Sequence, residues 1–139
     1  MKHLVSAVLL LGTLCVSGSV LADTQCTDNY TLEGNFFKGR SFQSWGSYPH
    51  VPFEEAYRRA YANVVRQGFS IQQADKDVGI IAAQQNVIGS GKVVPLNVIV
   101  ESEGAGSRVS VNFTTTGGLA VGEESVKDGF CQILEAVAR

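Results

Sequence analysis

The chain has 139 residues, of which 45% are hydrophobic and 17% are charged, and its formal net charge at pH 7 is −2. This length suits a single domain with a modest hydrophobic core. Because the basic residues form no block or stripe, we expect no nucleic-acid partner and no polybasic contact with a membrane surface.

Residues 1–22 predict a secretory signal peptide. A basic start at Lys2 precedes an apolar stretch over residues 4–16, and Ala22 is a small residue that a signal peptidase accepts. The apolar stretch is too short to span a bilayer as a helix, which takes about 20 residues. We therefore expect a mature domain over residues 23–139, without a transmembrane segment, in the periplasm or outside a bacterial cell.

The sequence contains three cysteines, and Cys15 falls inside the predicted signal peptide. A lipoprotein anchored through Cys15 is disfavoured, because Leu14 before it is not a small residue. Cys26 and Cys131 remain as an even pair in a chain expected to enter an oxidising compartment, which predicts a disulfide. A redox-active pair would have close spacing such as Cys-x-x-Cys, so we interpret this bond as a structural staple.

Residues 23–37 show no clean hydrophobic period and predict an ordered lead-in, while residues 38–48 predict a first strand. Six aromatic residues lie within eighteen positions here: Phe36, Phe37, Phe42, Trp45, Tyr48 and Phe53. In one interpretation they pack beneath the sheet edge and around the start of the next helix. In the other, some are exposed as an interaction surface, for which the candidates are Phe36, Phe37, Trp45 and Tyr48.

The stretch FEEAYRRAYANVVRQG predicts an amphipathic helix, because its apolar residues recur at spacings of three, four, seven and eight. These residues are Phe53, Ala56, Tyr57, Ala60, Tyr61, Val64 and Val65. Pro52 suits a first helical turn, where its missing N–H costs no hydrogen bond, and Gly68 suits a left-handed cap at the end.

The period changes to two after this helix, so FSIQQA and VGIIAAQQNV predict two strands. Between them, Asp75, Asp77 and Gly79 resemble the start of a calcium loop. Such a loop needs a glycine at its sixth place and a glutamate at its twelfth, where this chain has Ile80 and Asn86. We therefore predict a hairpin turn and no metal site.

Two more strands and a helix complete the chain. PLNVIVES and RVSVNFTTT alternate between apolar and polar residues, with Val109, Val111 and Phe113 predicted to face inward. SVKDGFCQILEAVAR predicts a second helix with Ser125 as its N-cap. The predicted fold is α+β: a mainly antiparallel sheet of four to five strands, in the element order β-α-β-β-β-β-α, with two helices packed on one face.

No catalytic set is evident in residues 23–139. His50 is the one histidine there, a Gly-x-Ser-x-Gly elbow is absent, and both remaining thiols are expected to be oxidised. One histidine without a free cysteine cannot build a usual zinc site. Acidic residues occur in three close pairs: Glu54–Glu55, Glu101–Glu103 and Glu123–Glu124. We interpret them as solvated charge and expect no cofactor and no metal, although folding could bring carboxylates together as in a glycosidase.

The run FEEAYRRAYANVVRQGFSIQQADKDVGIIAAQQ joins a helix, a glycine, a short strand, an acidic turn and a Gly-Ile-Ile-Ala strand. This order resembles the helix-grip domains of the C component of the outer-membrane β-barrel assembly machinery and of related periplasmic lipoproteins, over about residues 40–137. The resemblance implies a helix-grip fold and not a reaction. This chain differs in having one domain, a predicted disulfide and no convincing lipid-attachment cysteine, so no functional residue is carried over.

Together these features favour a non-enzymatic periplasmic protein-interaction module with a protein partner in the cell envelope. An envelope accessory or an inhibitor or immunity protein would be of this kind. One alternative is a binder of an apolar small molecule or lipid, held between the helices and the sheet. Another is an enzyme that acts on cell-wall or glycan material.

Overall fold

The computed structural model describes residues 20–139, with side chains from Thr24 onward. Within this part, nine elements follow one another: α1 (Val20–Asp28), β1 (Thr31–Asn35), β2 (Gly39–Tyr48), α2 (Phe53–Arg66), β3 (Ser70–Asp75), β4 (Ile80–Val87), β5 (Lys92–Glu103), β6 (Gly106–Thr114) and α3 (Glu123–Ala138). Most of the predicted signal peptide lies outside the described residues, as does Cys15 with the lipoprotein alternative.

The six strands form one antiparallel sheet in the order β1-β2-β6-β5-β4-β3. Helices α2 and α3 lie side by side against one face of this sheet, and α1 packs beside α3 and β2. The predicted α+β class, the antiparallel pairing and the helix-grip-like arrangement are therefore confirmed. The sheet has one strand more than the four to five expected.

The additional elements α1 and β1 lie mainly in residues 23–37, which the sequence predicted as an ordered lead-in without assigning a helix or strand. That prediction was incomplete because β1 has only five residues, most of them exposed, and α1 has no amphipathic stripe. Asn35 helps to close the turn between β1 and β2. Its Oδ1 accepts hydrogen bonds from the backbone N–H groups of Phe37 and Lys38, both at 3.0 Å.

The core lies between the helices and the inward face of the sheet. Val109, Val111 and Phe113 of β6 are buried there, as their alternation predicted. The largest of the fully buried side chains come from both layers: Phe42, Ile81, Leu96, Ile133, Leu134 and Val64. Tyr61 and Val65, predicted on the apolar stripe of α2, are more than one-third exposed because they lie at its margin.

The helix boundaries agree with the sequence except at the start of α3. Helix α2 begins at Phe53 after Pro52, and Gly68 beyond its end has the left-handed φ of +85°. The N-cap of α3 is Gly122, so the prediction of Ser125 was wrong. The helix begins earlier than its apolar stripe does, and Ser125 therefore lies inside the first turn.

The predicted hairpin between β3 and β4 is confirmed. Asp75 Oδ1 accepts the backbone N–H of Asp77 at 3.0 Å, which closes the turn. Gly79 has a φ of +75°, and a Cβ at this position would lie 2.0 Å from Val100 O, so only glycine fits. Further along β3 the register shifts between Ile71 and Gln73, which marks a bulge in this edge strand.

A disulfide joins Cys26 of α1 to Cys131 of α3, as the sequence predicted, with 5.4 Å between the Cα atoms. Ser44 of β2 supports the same region, because its hydroxyl donates to Cys26 O at 2.7 Å. The bond therefore holds the N-terminal helix against α3 and the sheet. A disulfide-bonded pair of this kind fits an extracytoplasmic location.

Candidate functional site

A cleft of about 270 Å³ lies between the N-terminal half of α3 and the end of the sheet where β6 finishes. Its walls come from α3, from the inward faces of β4, β5 and β6, and from the segments that flank the helices. The lining residues are Gln67, Phe69, Gln85, Val87, Val94, Leu96, Phe113, Val121, Gly122, Ser125, Val126, Gly129, Phe130 and Ile133. Small-molecule sites occupy about 300–1,000 Å³, so this cleft suits a small ligand or part of a longer one.

Two simple sequence periods make the cleft apolar. On α3, Val126, Phe130 and Ile133 follow one another at spacings of four and three, which places them on one helix face. On the sheet, inward-pointing residues alternate with outward-pointing ones. Gly129 lets the Gln67 side chain approach α3 closely, since a Cβ there would lie only 3.2 Å from Gln67 Oε1. The glycine that weakens the helix therefore makes room for the Gln67 side chain at the edge of the cleft.

Side-chain polar groups occur at the rim of the cleft. Gln67 Nε2 is already engaged, because it donates to Asn63 Oδ1 at 2.8 Å and to Gly129 O at 3.0 Å. The side chains of Gln85 and Ser125 also line the cleft, and neither makes a hydrogen bond to another residue of the range 20–139. These two groups can therefore bind the polar end of a ligand.

The first turn of α3 sets the charge of the rim. Its N-cap Gly122 has no side chain to accept a hydrogen bond, so no N-cap side chain pairs with the first N–H groups of the helix. Glu123 and Glu124 add two negative charges at this helix end. These charges suit the helix dipole but repel an anion. The rim therefore fits a neutral polar group better than a carboxylate or a phosphate.

Behind the α3 wall, the ring of Tyr30 packs against that of Phe130, with 6.4 Å between the centroids. Among the described side chains, the Tyr30 hydroxyl and Arg40 Nε are buried without a hydrogen-bond partner. Burial, followed by the negative charges of Glu123 and Glu124, raises the pKa of Tyr30 to about 12. The hydroxyl therefore stays protonated at neutral pH as an unpaired donor.

Replacing Tyr30 by phenylalanine is expected to raise the free energy of unfolding by about 1 kcal/mol, because the variant no longer buries an unpaired hydroxyl. Tyr48→Phe is the matched control and is expected to lower it by about 1 kcal/mol, since the Tyr48 hydroxyl donates to Leu134 O at 2.7 Å. Urea denaturation measures both variants. An equal loss of stability in both would show that the Tyr30 hydroxyl has a partner.

The four predicted interaction-surface residues do not share one surface. Phe36 and Phe37 are 45% and 86% exposed at the turn between β1 and β2. Trp45 is half-buried on the outer face of the sheet, where the guanidinium carbon of Arg108 lies 3.8 Å from its ring centroid. The prediction for Tyr48 was wrong: it is 5% exposed, because β2 directs it to the inner face, where it bonds to α3.

None of the residues of the three acidic pairs lines the cleft. Glu54 bonds a lysine at 2.8 Å, and two arginines of its own helix hydrogen-bond Glu55 and lower its pKa to about 2. Glu101 and Glu103 are exposed near the end of β5, and His50 is exposed in the segment before α2. Among residues 20–139, no group of three His, Cys, Asp or Glu side chains could hold a metal ion.

None of the helices between residues 20 and 139 is long and apolar enough to cross a membrane. The sequence matches no protein-family model and no curated protein.

Solved structures share the fold at low sequence identity. CalU16 from Micromonospora echinospora aligns with a TM-score of 0.56 and 14% identity, over 78% of this chain and 80% of that one. A conserved protein of unknown function from Enterococcus faecalis, EF2215, aligns with a TM-score of 0.55 and 6% identity, over 88% and 82% of the two chains. Ara h 8.0201 aligns with a TM-score of only 0.41 and 15% identity, over 72% of this chain and 95% of that one. The first two likenesses support the observed fold, and nothing in the comparisons links the chain to the β-barrel assembly machinery.

Proposed function

We propose that this protein is a non-enzymatic, extracytoplasmic binder of a small apolar ligand, held in the cleft between α3 and the sheet. The cleft itself carries the proposal, since it combines about 270 Å³ of space with a mainly apolar lining. Concave apolar sites with a few polar groups at their edge are typical of ligand pockets. We therefore favour the ligand-binding alternative from the sequence over the protein-interaction module.

The lining defines the chemistry of the ligand. Phe113, Phe130 and Leu96 offer aromatic and aliphatic contacts on both sides of the cleft, and burial of an apolar surface there contributes about 25 cal/mol per Å². Gln85 and Ser125 at the rim offer hydrogen bonds to one polar group. The expected ligand is therefore an apolar body, aromatic or acyl, with a single neutral polar end.

Wild-type protein is expected to bind the neutral apolar fluorophore N-phenyl-1-naphthylamine at one saturable site per chain. Val126→Trp places an indole in the cleft and is expected to weaken binding by about tenfold, equivalent to about 1.4 kcal/mol. Asp128→Trp is the matched control, because Asp128 is exposed about 200° round the same helix and does not line the cleft. Fluorescence titration measures all three proteins. Absence of saturable binding in the wild type, or equal binding by both variants, would contradict the proposal.

A second candidate is the envelope protein-interaction module favoured by the sequence, with the outer face of the sheet as its contact. Ile80 and Ile99 are opposite each other in the β4–β5 register and are 36% and 43% exposed. Together with half-buried Trp45 they give this uncovered face apolar area that a partner could bury. Affinity capture from envelope extract, with Ile99→Glu as the control bait, tests this candidate. A partner retained equally by both baits would contradict it.

A further inference from the structure

Two exposed apolar loop tips project from the same end of the sheet. The first is the β1–β2 turn, where Phe37 is 86% exposed beside Phe36. The second is the β4–β5 turn, where Ile88 is fully exposed. A large apolar side chain left in water at a loop tip contributes nothing to the core, so both residues are available to an external apolar phase.

The register of the strands places both tips at one end. Ser41 of β2 is opposite Thr114 of β6, and Phe113 is opposite Leu96 of β5. The β1–β2 and β4–β5 hairpins therefore both extend beyond the point where β6 stops. Three strand spacings separate the two hairpin centres in the sheet order, which is about 15 Å. The two loop tips therefore project on either side of the end of β6.

The mouth of the cleft lies at this same end. Val87 and Val94, at the base of the β4–β5 hairpin, line the cleft from one side. The segment that follows β6 runs past the other hairpin, because Gly118 N–H donates to Phe36 O at 2.8 Å, and then leads to Val121 and Gly122 in the cleft lining. A surface that contacts both tips would therefore cover the entrance to the cleft.

Each tip also carries an exposed cation. Lys38 follows Phe37 directly, and Lys92 follows the β4–β5 turn. Neither lysine has an ion-pair partner among residues 20–139, although Glu33, Glu123 and Glu124 lie at the same end of the molecule. Apolar side chains flanked by lysine suit the boundary between acyl chains and headgroup phosphates, although the three glutamates leave this end without a net positive charge. Here the apolar tips provide the main contact, and no run of basic residues is needed.

We propose that this end of the molecule docks on a lipid bilayer, with Phe37 and Ile88 inserted among the headgroups. The cleft then opens towards the membrane, and its apolar ligand enters from the bilayer without crossing water. This route for the ligand rests on the function proposed above, whereas the docking itself rests only on the two tips and their lysines.

Co-sedimentation with vesicles of phosphatidylglycerol and phosphatidylethanolamine in equal parts tests the docking. Phe37→Asp and Ile88→Asp are each expected to weaken vesicle binding by about tenfold, because each removes a large apolar contact and adds a charge of the same sign as the headgroups. Val78→Asp is the matched control, since Val78 is 60% exposed in the turn at the opposite end of the sheet. All variants are expressed as the full chain with export, so that each carries the same processed N-terminus.

The contribution of Lys38 and Lys92 to vesicle binding can be tested separately. Lys38→Gln combined with Lys92→Gln is expected to weaken binding to these anionic vesicles and leave binding to phosphatidylcholine vesicles unchanged. Equal vesicle binding by Phe37→Asp and Val78→Asp would overturn the docking, as would a complete lack of sedimentation by the wild type.

Fluorophore binding separates this inference from the proposed function. Phe37→Asp and Ile88→Asp are expected to bind N-phenyl-1-naphthylamine like the wild type, because neither residue lines the cleft. Val126→Trp is expected to lose the fluorophore and keep the vesicles. If the wild type bound vesicles but not the fluorophore, the membrane docking would be supported and the proposed ligand-binding function would be contradicted.

Discussion

The double variant Cys26→Ser/Cys131→Ser is expected to lose about 4.7 kcal/mol of unfolding free energy, the value that the chain-entropy model gives for a loop of about 100 residues. The bond spans a sequence separation of 105 residues, so almost the whole described chain regains conformational freedom in the unfolded state when it is absent. Since small domains are typically stable by about 5–15 kcal/mol, the variant is expected to be marginally folded.

Guanidinium chloride denaturation measures this loss, and reduction of the wild-type protein with dithiothreitol is the control. Reduction leaves every other atom in place, so it is expected to lower the denaturation midpoint in the same direction as the double variant. The Cys26 side chain is fully buried, and the serine variant therefore also places a hydroxyl in an apolar environment. Two titratable thiols in the oxidised, exported protein would contradict the bond itself.

Phe42→Ala is expected to lower the free energy of unfolding by about 3–5 kcal/mol, as is typical of a buried phenylalanine reduced to alanine. Phe42 is fully buried in β2, and its ring packs edge-on against Phe113 with 5.9 Å between the centroids. Removal of the Phe42 ring leaves a cavity and also removes its aromatic contact with Phe113. Thermal or urea denaturation measures the effect.

The same variant has a consequence for the cleft, because Phe113 lines it. Without Phe42 behind it, the Phe113 ring can move back, so we expect the variant to accept a bulkier fluorophore than the wild type. Phe42→Leu retains most of the volume and is expected to cost less than half as much stability. If Phe42→Ala and Phe42→Leu were equally stable, the ring of Phe42 would not be part of the close-packed core.

The elements with a strong period could be predicted from the sequence, because the same residues define the element and its buried face. The stripe of α2 and the alternation of Val109, Val111 and Phe113 are of this kind. In β2 the inward positions between Phe42 and Tyr48 are Ser44 and Gly46, which show no apolar signal. The direction of the Tyr48 side chain therefore could not be deduced, and it was placed on the wrong surface.

The cleft could not be predicted for a different reason. Its lining comes from segments distant along the chain, and it includes Gly129, whose missing Cβ leaves room for the Gln67 side chain. In the sequence, Gly129 indicates only a weaker helix. The short strand β1 and helix α1 were missed because neither has an apolar period, and the contacts that hold α1 in place are tertiary.

Strands β1 and β3 form the two edges of the sheet, and β1 is short while β3 contains a bulge. A long, flat margin of unpaired N–H and C=O groups is a template on which another polypeptide can pair. Here one margin is bent at Ile71–Gln73 and the other is five residues long with Gly34 near its end. We therefore expect concentrated solutions of the protein to remain clear of fibrillar or strand-exchanged aggregates, even though the sheet is open on both sides.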